Sequence, residues 1–204
     1  MALLLTQSYA QIPIPYLYYD FEDAAGTTSV IDSSGNEREG TVNGAVDFGS
    51  EGAPQGSTPS AGAQFSSGYI NVDGSDAPTD FGNRDQGIAA SYTMACWVKP
   101  DQAAFSGDAF IFGQGNQGIH HGFRGGNTYH AHWGSDFSGT LPLNPDEWAH
   151  LTFTYDSELG RGAIYINGEF DSEKTDQSGP NGAGSIIIGG RNGGVQNFQG
   201  IIDD

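Results

Sequence analysis

Helical periodicity is nearly absent from this chain, and short β-rich runs recur between turn residues. No window sustains apolar residues at i, i+3, i+4 and i+7, so the pattern predicts strands rather than helices. Short runs rich in β-branched and aromatic residues cover 16–22, 62–65, 69–72, 92–99, 109–112, 119–123, 128–133, 148–155, 163–166, 185–188 and 198–202. Asn43, Asn167, Asn181 and Asn192 are each followed by glycine, the pair that suits a type I′ hairpin turn because both central residues take positive φ. The clearest hairpin runs from Ala163 to Phe170. Strands spaced in this way predict an all-β sandwich or barrel, and long loops at 49–60 and 74–90 are where such scaffolds carry ligand sites.

Composition narrows this picture. The 204 residues suffice for one domain with a core that needs no disulfide staples. With 25 acidic and 7 basic side chains, a formal charge of −18 repels phosphate backbones and anionic membrane surfaces. Nucleic acid is therefore excluded as a partner, and no apolar stretch reaches the length of a membrane span. The lone Cys96 lies within an apolar run and reads as core filler. Trp97 and Trp148 also read as core residues. Residues 1–11 read as a leader, with a short apolar run and a small-x-small pattern like the end of a signal peptide, so a secreted or cell-surface location is expected. The chain breaks off at Asp204 inside a predicted strand, so residues 12–204 are expected to form a single domain truncated in its last strand and drawn from a longer multidomain chain.

The order of several segments carries a resemblance. They are Tyr18-Tyr19-Asp20-Phe21-Glu22, Asp32-Ser33-Ser34-Gly35-Asn36, Tyr92 to Pro100, Glu147 to Asp156, Ile164-Tyr165-Ile166-Asn167-Gly168 and Phe198 to Asp204. Together they resemble the laminin G-like branch of the concanavalin A-like lectin/glucanase superfamily. The resemblance implies an antiparallel two-sheet jelly-roll sandwich. It also implies a structural calcium held between the first strand, the Asp32 loop and the last strand, at Glu22, Asp32, Asn36, Asp203 and Asp204. Calcium takes six to eight oxygen ligands, which such a set can supply. The residues alone leave open a second reading, in which Asp32 merely hydrogen-bonds its own turn.

The candidate ligand site is the hairpin 120–136, where Arg124, Tyr129, His130, His132, Trp133 and Asp136 offer planar rings to stack on sugar C–H faces and polar groups for hydroxyls. His130 and His132 stand at i, i+2 on one strand face, within reach of a histidine on the neighbouring strand. A zinc site there would need three or four converging ligands. The run Glu169-Phe170-Asp171-Ser172-Glu173 resembles the Glu-x-Asp-x-Glu signature of laminarinase-type glycoside hydrolases, and strict alternation would place its three carboxylates on one face. It directly follows the Asn167-Gly168 turn, so an ordinary polar surface hairpin is the favoured reading. The expected function is a non-catalytic extracellular module that binds carbohydrate. A protein-interaction or adhesion module with a cell-surface protein partner is the first alternative, and a hydrolase using Glu169 and Glu173 the second.

Overall fold

The computed structural model describes residues 14–54, 60–76, 80–114, 116, 118–191 and 194–204. The predicted leader lies outside these residues. Fifteen strands are described: β1 (Ser29–Val30), β2 (Gly40–Asn43), β3 (Val46–Glu51), β4 (Ala61–Phe65), β5 (Tyr69–Val72), β6 (Tyr92–Pro100), β7 (Asp108–Gln114), β8 (His120–Arg124), β9 (Asn127–His130), β10 (Phe137–Ser138), β11 (Ala149–Asp156), β12 (Arg161–Ile166), β13 (Glu169–Lys174), β14 (Ile186–Ile188) and β15 (Gly200–Asp203). They form two antiparallel sheets. One has eight strands in the order β1-β2-β5-β14-β7-β8-β9-β10, the other seven in the order β13-β12-β11-β6-β15-β4-β3. This is the jelly-roll sandwich that the resemblance implies, and one of the two architectures that the strand spacing predicts.

Alternation explains the core. Along β6, Tyr92, Met94, Cys96 and Val98 are buried between the sheets, while Thr93 and Ala95 are exposed. Along β11, Ala149, Leu151, Phe153 and Tyr155 point inward. Phe65, Phe123 and Ile164 from other strands and Phe198 from the segment before β15 complete the packing. Cys96 sits in this core, where burial pushes its thiol pKa up, so core filler is its role. The tryptophans do not join it. Trp97 is half-buried on the outward face of β6, with its ring 5.2 Å from that of His150, and Trp148 is half-buried beside a surface groove. Apolar run composition pointed inward for both, but the pleat of β6 assigns Trp97 to the same side as Thr93 and Ala95.

Local chemistry sets the turns. Asn167 and Gly168 have φ of 53° and 79° and join β12 to β13 as a type I′ hairpin. Asn43 and Gly44 behave differently, joining β2 in one sheet to β3 in the other, a corner between layers rather than a hairpin. Residues 16–22 are not a strand. Phe21 takes φ 54°, and the segment is tied by hydrogen bonds between Tyr18 and the Asp32–Ser33 turn instead of by a ladder, while Tyr19 and Phe21 still cap the core.

Leu151 is fully buried, whereas Ala95 faces solvent. Leu151→Ala is expected to cost about 2–5 kcal/mol and Ala95→Ser within about 0.5 kcal/mol, both readable from urea midpoints.

Candidate functional site

The hairpin 120–136 crosses the end of the eight-stranded sheet, and its alternation divides the predicted ligand residues between two faces. His130 and His132 point between the sheets and are fully buried. Tyr129 and Trp133 point away from the core, Tyr129 buried in a small outer cluster with Phe110 and Ala131, Trp133 54% exposed. One ligand cannot touch both sets, so the two histidines leave the expected sugar site.

The inward histidines meet His121 of β8 as the sequence pattern allows. Ligand atoms of His121, His130 and His132 lie within 4.8 Å of one another. Their partners assign every ring proton. The Ala131 N–H donates to His121 Nδ1 at 3.1 Å, so His121 Nε2–H donates to the Tyr92 hydroxyl at 2.9 Å. That hydroxyl donates to His132 Nε2, and His132 Nδ1–H donates to the Ser178 carbonyl at 2.8 Å. His130 donates from Nε2 to the Thr154 carbonyl at 3.0 Å and accepts at Nδ1 from the Gln177 amide at 3.0 Å. Gly162 makes room for that amide: a Cβ there would stand 1.8 Å from Gln177 Oε1. Each imidazole lone pair is thus already engaged, and a zinc ion would have to break all three of these bonds. The trio is a satisfied hydrogen-bond network of neutral rings that ties the two sheets together.

Burial depresses the pKa of all three rings, that of His132 to about 4, and their mutual repulsion depresses His121 and His130 further. Below the unfolded value near 6.5 the unfolded chain binds protons that the native state refuses, so stability falls as pH drops through that value toward the folded pKa. His132 alone accounts for roughly 3 kcal/mol of this loss when its titration is complete. A urea midpoint that falls steeply between pH 7 and pH 4.5, and less so in His132→Gln, is expected; equal slopes would remove His132 from the cause.

On the outer face, Arg124 donates from Nε and Nη2 to the two oxygens of Asp108 at 2.7 and 2.9 Å and lies 4.0 Å above the centre of the Tyr129 ring. Tyr129 donates its hydroxyl to Asp136 Oδ2 at 2.7 Å. Arg124, Tyr129 and Asp136 therefore do come together, but largely satisfy each other. Hydrogen bonding to Arg124 holds the Asp108 carboxyl below its usual range against the effect of burial.

Trp133 borders a groove of about 360 Å3 shared with Asp85, Asn116, Asn181 and Gly182. Its walls are fixed by Asn83, a 3%-exposed residue whose Oδ1 accepts from the Asp85 and Gln86 N–H groups of a 3-10 turn (Arg84–Gln86) and whose Nδ2 donates to the Gly182 carbonyl. The Arg84 N–H also donates to the Pro180 carbonyl at 2.7 Å. Asn181 Nδ2 donates to Asp85 Oδ2 at 3.2 Å, while Asn181 Oδ1 is buried with no partner among the described residues. An exposed ring beside carboxylate and amide groups suits a neutral polyhydroxylated ligand. Sequence reading missed Asp85, Asn116 and Asn181, since they come from three separate loops; Asn181-Gly182 signalled only a turn.

The acidic residues implied as calcium ligands separate into two groups. Asp32 accepts the Tyr18 and Ser34 N–H groups at Oδ1 and the Arg38 N–H at Oδ2; burial raises its carboxyl pKa, but these bonds and that from the Ser34 hydroxyl outweigh it and lower the pKa. Asn36 donates its amide to the Pro15 and Tyr16 carbonyls. Asp203 is completely buried, with Oδ2 accepting from Ala53 N–H and the Ser60 hydroxyl and Oδ1 without a partner among the described residues. Burial, aided by Asp204 and Glu22, pushes its carboxyl pKa up. Glu22 accepts the neighbouring Ala61 N–H at 2.8 Å, and Asp204 accepts the Tyr18 hydroxyl at 2.5 Å.

The Glu169–Glu173 run does not keep one face. The β12–β13 register shifts between Ile164 and Tyr165, which pair with Ser172 and Phe170, so the bulge at Asp171 resets the alternation. Asp171 turns to the loop after β10, accepting the Thr140 and Leu141 N–H groups and the Thr140 and Thr128 hydroxyls. Glu173 pairs with Arg161 and Glu169 faces solvent. The expected co-facial carboxylates are thus absent, and the hydrolase reading loses its geometry.

The pattern of the Laminin_G_3 family, described as the concanavalin A-like lectin/glucanases superfamily, matches residues 73–204. The chain belongs to this family. Among solved structures, domain 4 of AbnA, a GH43 extracellular arabinanase from Geobacillus stearothermophilus in complex with arabinotriose, is similar over 84% of this chain and 82% of its own, with a TM-score of 0.57 and 22% identity. The Trypanosoma rangeli sialidase in complex with the inhibitor DANA is similar over 88% of this chain but 28% of its own, with a TM-score of 0.55 and 13% identity. At these identities the likeness is one of fold. No curated protein matches the chain.

Proposed function

We propose that this Laminin_G_3 domain is a non-catalytic carbohydrate-binding module and that Trp133 is its stacking platform. The observation that carries this reading is the half-open Trp133 ring in a preformed groove lined otherwise by Asp85, Asn116, Asn181 and Gly182. A sugar ring lying on Trp133 would place hydroxyls against Asn181, Asn116 and Asp85 with little reorganisation, because Asn83 already fixes the groove walls. The AbnA domain, seen with arabinotriose, suggests starting with a pentose polymer. Affinity electrophoresis against soluble linear arabinan, arabinoxylan and mixed-linkage β-glucan tests the reading. Retardation by at least one polymer is expected, with affinity falling roughly tenfold or more in Trp133→Ala. No retardation by any polymer would favour the adhesion alternative, in which the same loops meet a cell-surface protein. A secreted or surface location suits a polysaccharide target and the leader-like residues 1–11; among the described residues no helix is long and apolar enough to cross a membrane.

For calcium, the donor chemistry fits at Asp203, Glu22 and Asp204 rather than across the whole implied set. A buried carboxylate oxygen without a partner among the described residues, next to two further acids, is the arrangement that a hard cation relieves. Bound there, calcium would join the end of β15 to the Glu22 segment. Asp32 and Asn36 organise the adjoining turn instead. Saturating calcium is expected to raise the melting temperature by roughly 5–10 °C, as native-state binding at about 100 times Kd requires, and Asp203→Asn is expected to abolish the rise.

A further inference from the structure

The outward face of the seven-stranded sheet carries a second set of planar and hydroxyl groups that the Trp133 site does not use. Register places Trp97 opposite His150 on β6 and β11, then Ala95, Thr152 and Tyr165 in one row, then Thr93, Thr154 and Ala163 in the next. Tyr165 packs edge-on at 5.9 Å against Phe170 of β13, which is 52% exposed. Rows follow one another at about 6.8 Å along the strands, so the face is roughly 20 Å long from Trp97 to the Asp156–Arg161 pair. Its small floor residues sit lower than the rings at the margin. A groove of about 820 Å3 opens over Thr93, Thr154, Ala163 and Tyr165, walled on the other side by Tyr16 and Phe81.

The charges on this face restrict its occupant. Lys99 pairs with Glu51, and Arg161 Nε donates to Glu173 at 2.7 Å, so both cations are already neutralised. Asp80 and Asp156 add negative charge around the rim. A uronate or sulfate polymer would meet repulsion, and a nucleic acid likewise. An apolar protein surface would leave the threonine hydroxyls of the floor unpaired on burial. A neutral chain of sugars satisfies both conditions, since its C–H faces cover rings while its hydroxyls meet Thr93, Thr152 and Thr154.

We propose that this face is a second binding site, extended along β6, β11 and β12, for a neutral polysaccharide chain, with Tyr165 as its principal ring and Trp97 at its far end. The site lies on the opposite sheet from Trp133, so the two engage separate chains or distant stretches of one, and a single module is bivalent. A polymer too long to be exhausted by one site would then bind more tightly than a short oligomer by avidity.

The full chain is tested by affinity electrophoresis on linear arabinan, arabinoxylan and mixed-linkage β-glucan, with Tyr165→Ala, Ala95→Arg, Trp133→Ala and the Tyr165→Ala/Trp133→Ala double variant. Ala95 is exposed, so Ala95→Arg obstructs the floor without entering the core, and far-ultraviolet circular dichroism verifies each fold. Expected is an approximately tenfold loss for Tyr165→Ala and for Ala95→Arg on at least one polymer, persisting when Trp133 is already alanine, with the double variant unretarded. Folded Tyr165→Ala and Ala95→Arg proteins that bind all three polymers as the parent does would overturn the second site. So would a parent chain that none of the polymers retards. Loss in Tyr165→Ala with none in Trp133→Ala would uphold this site and remove the Trp133 reading instead.

Discussion

Everything displayed by the 120–136 hairpin depends on where three imidazoles are held. His121, Tyr92 and His132 form a continuous relay of hydrogen bonds from the eight-stranded sheet to the seven-stranded sheet and back, and His130 is pinned to Thr154 and Gln177 beside it. A buried polar ring is tolerated only when its donors and acceptors are met, and this network meets them with one tautomer each. Once His130 and His132 are drawn inward, the pleat leaves Trp133 no place but the outer surface. The same constraint explains why a sequence with four histidines in thirteen residues carries no exposed histidine patch there.

Acidic residues show the opposite economy of placement. The −18 charge of the chain is not spread as an even solvating coat. Asp32 and Asp171 are consumed by backbone N–H groups and act as organisers of the turns around them. Asp108 holds Arg124 in place over Tyr129. Asp203 stands apart because its burial is not matched by a full set of donors among the described residues. Reading a carboxylate as a ligand from its position along the chain therefore succeeds or fails on local backbone geometry that spacing does not encode.

That contrast marks the boundary of what was legible in the sequence. Runs of β-branched and aromatic residues between turn residues located nearly every long strand, because such side chains suit a pleated, half-buried surface: the predicted 69–72 run coincides with β5 and 92–99 falls inside β6. The short strand β1, the glycine-rich β2–β3 segment and the two-residue β10 escaped, having too few large residues to show a pattern. The site was half legible. Trp133 was found because it sits in a periodic run, whereas Asn116, Asn181 and Asp85 converge on it from irregular loops. Trp97 was misread because it lies within an apolar run, and only the sandwich reveals that its side of β6 points away from the facing sheet. The bulge in β13 likewise undid an inference that assumed unbroken alternation.

The position of β15 in the seven-stranded sheet has a kinetic consequence. Although last in the chain order, it lies between β6 and β4, and its residues pair with both. A newly made chain cannot close that sheet by adding strands in order of synthesis. Until residues 200–203 are available, β4 and β6 are two unjoined edges with their hydrogen-bonding groups open. Folding must then wait on contacts of very large sequence separation, which slow it and prolong the interval in which those edges stay open.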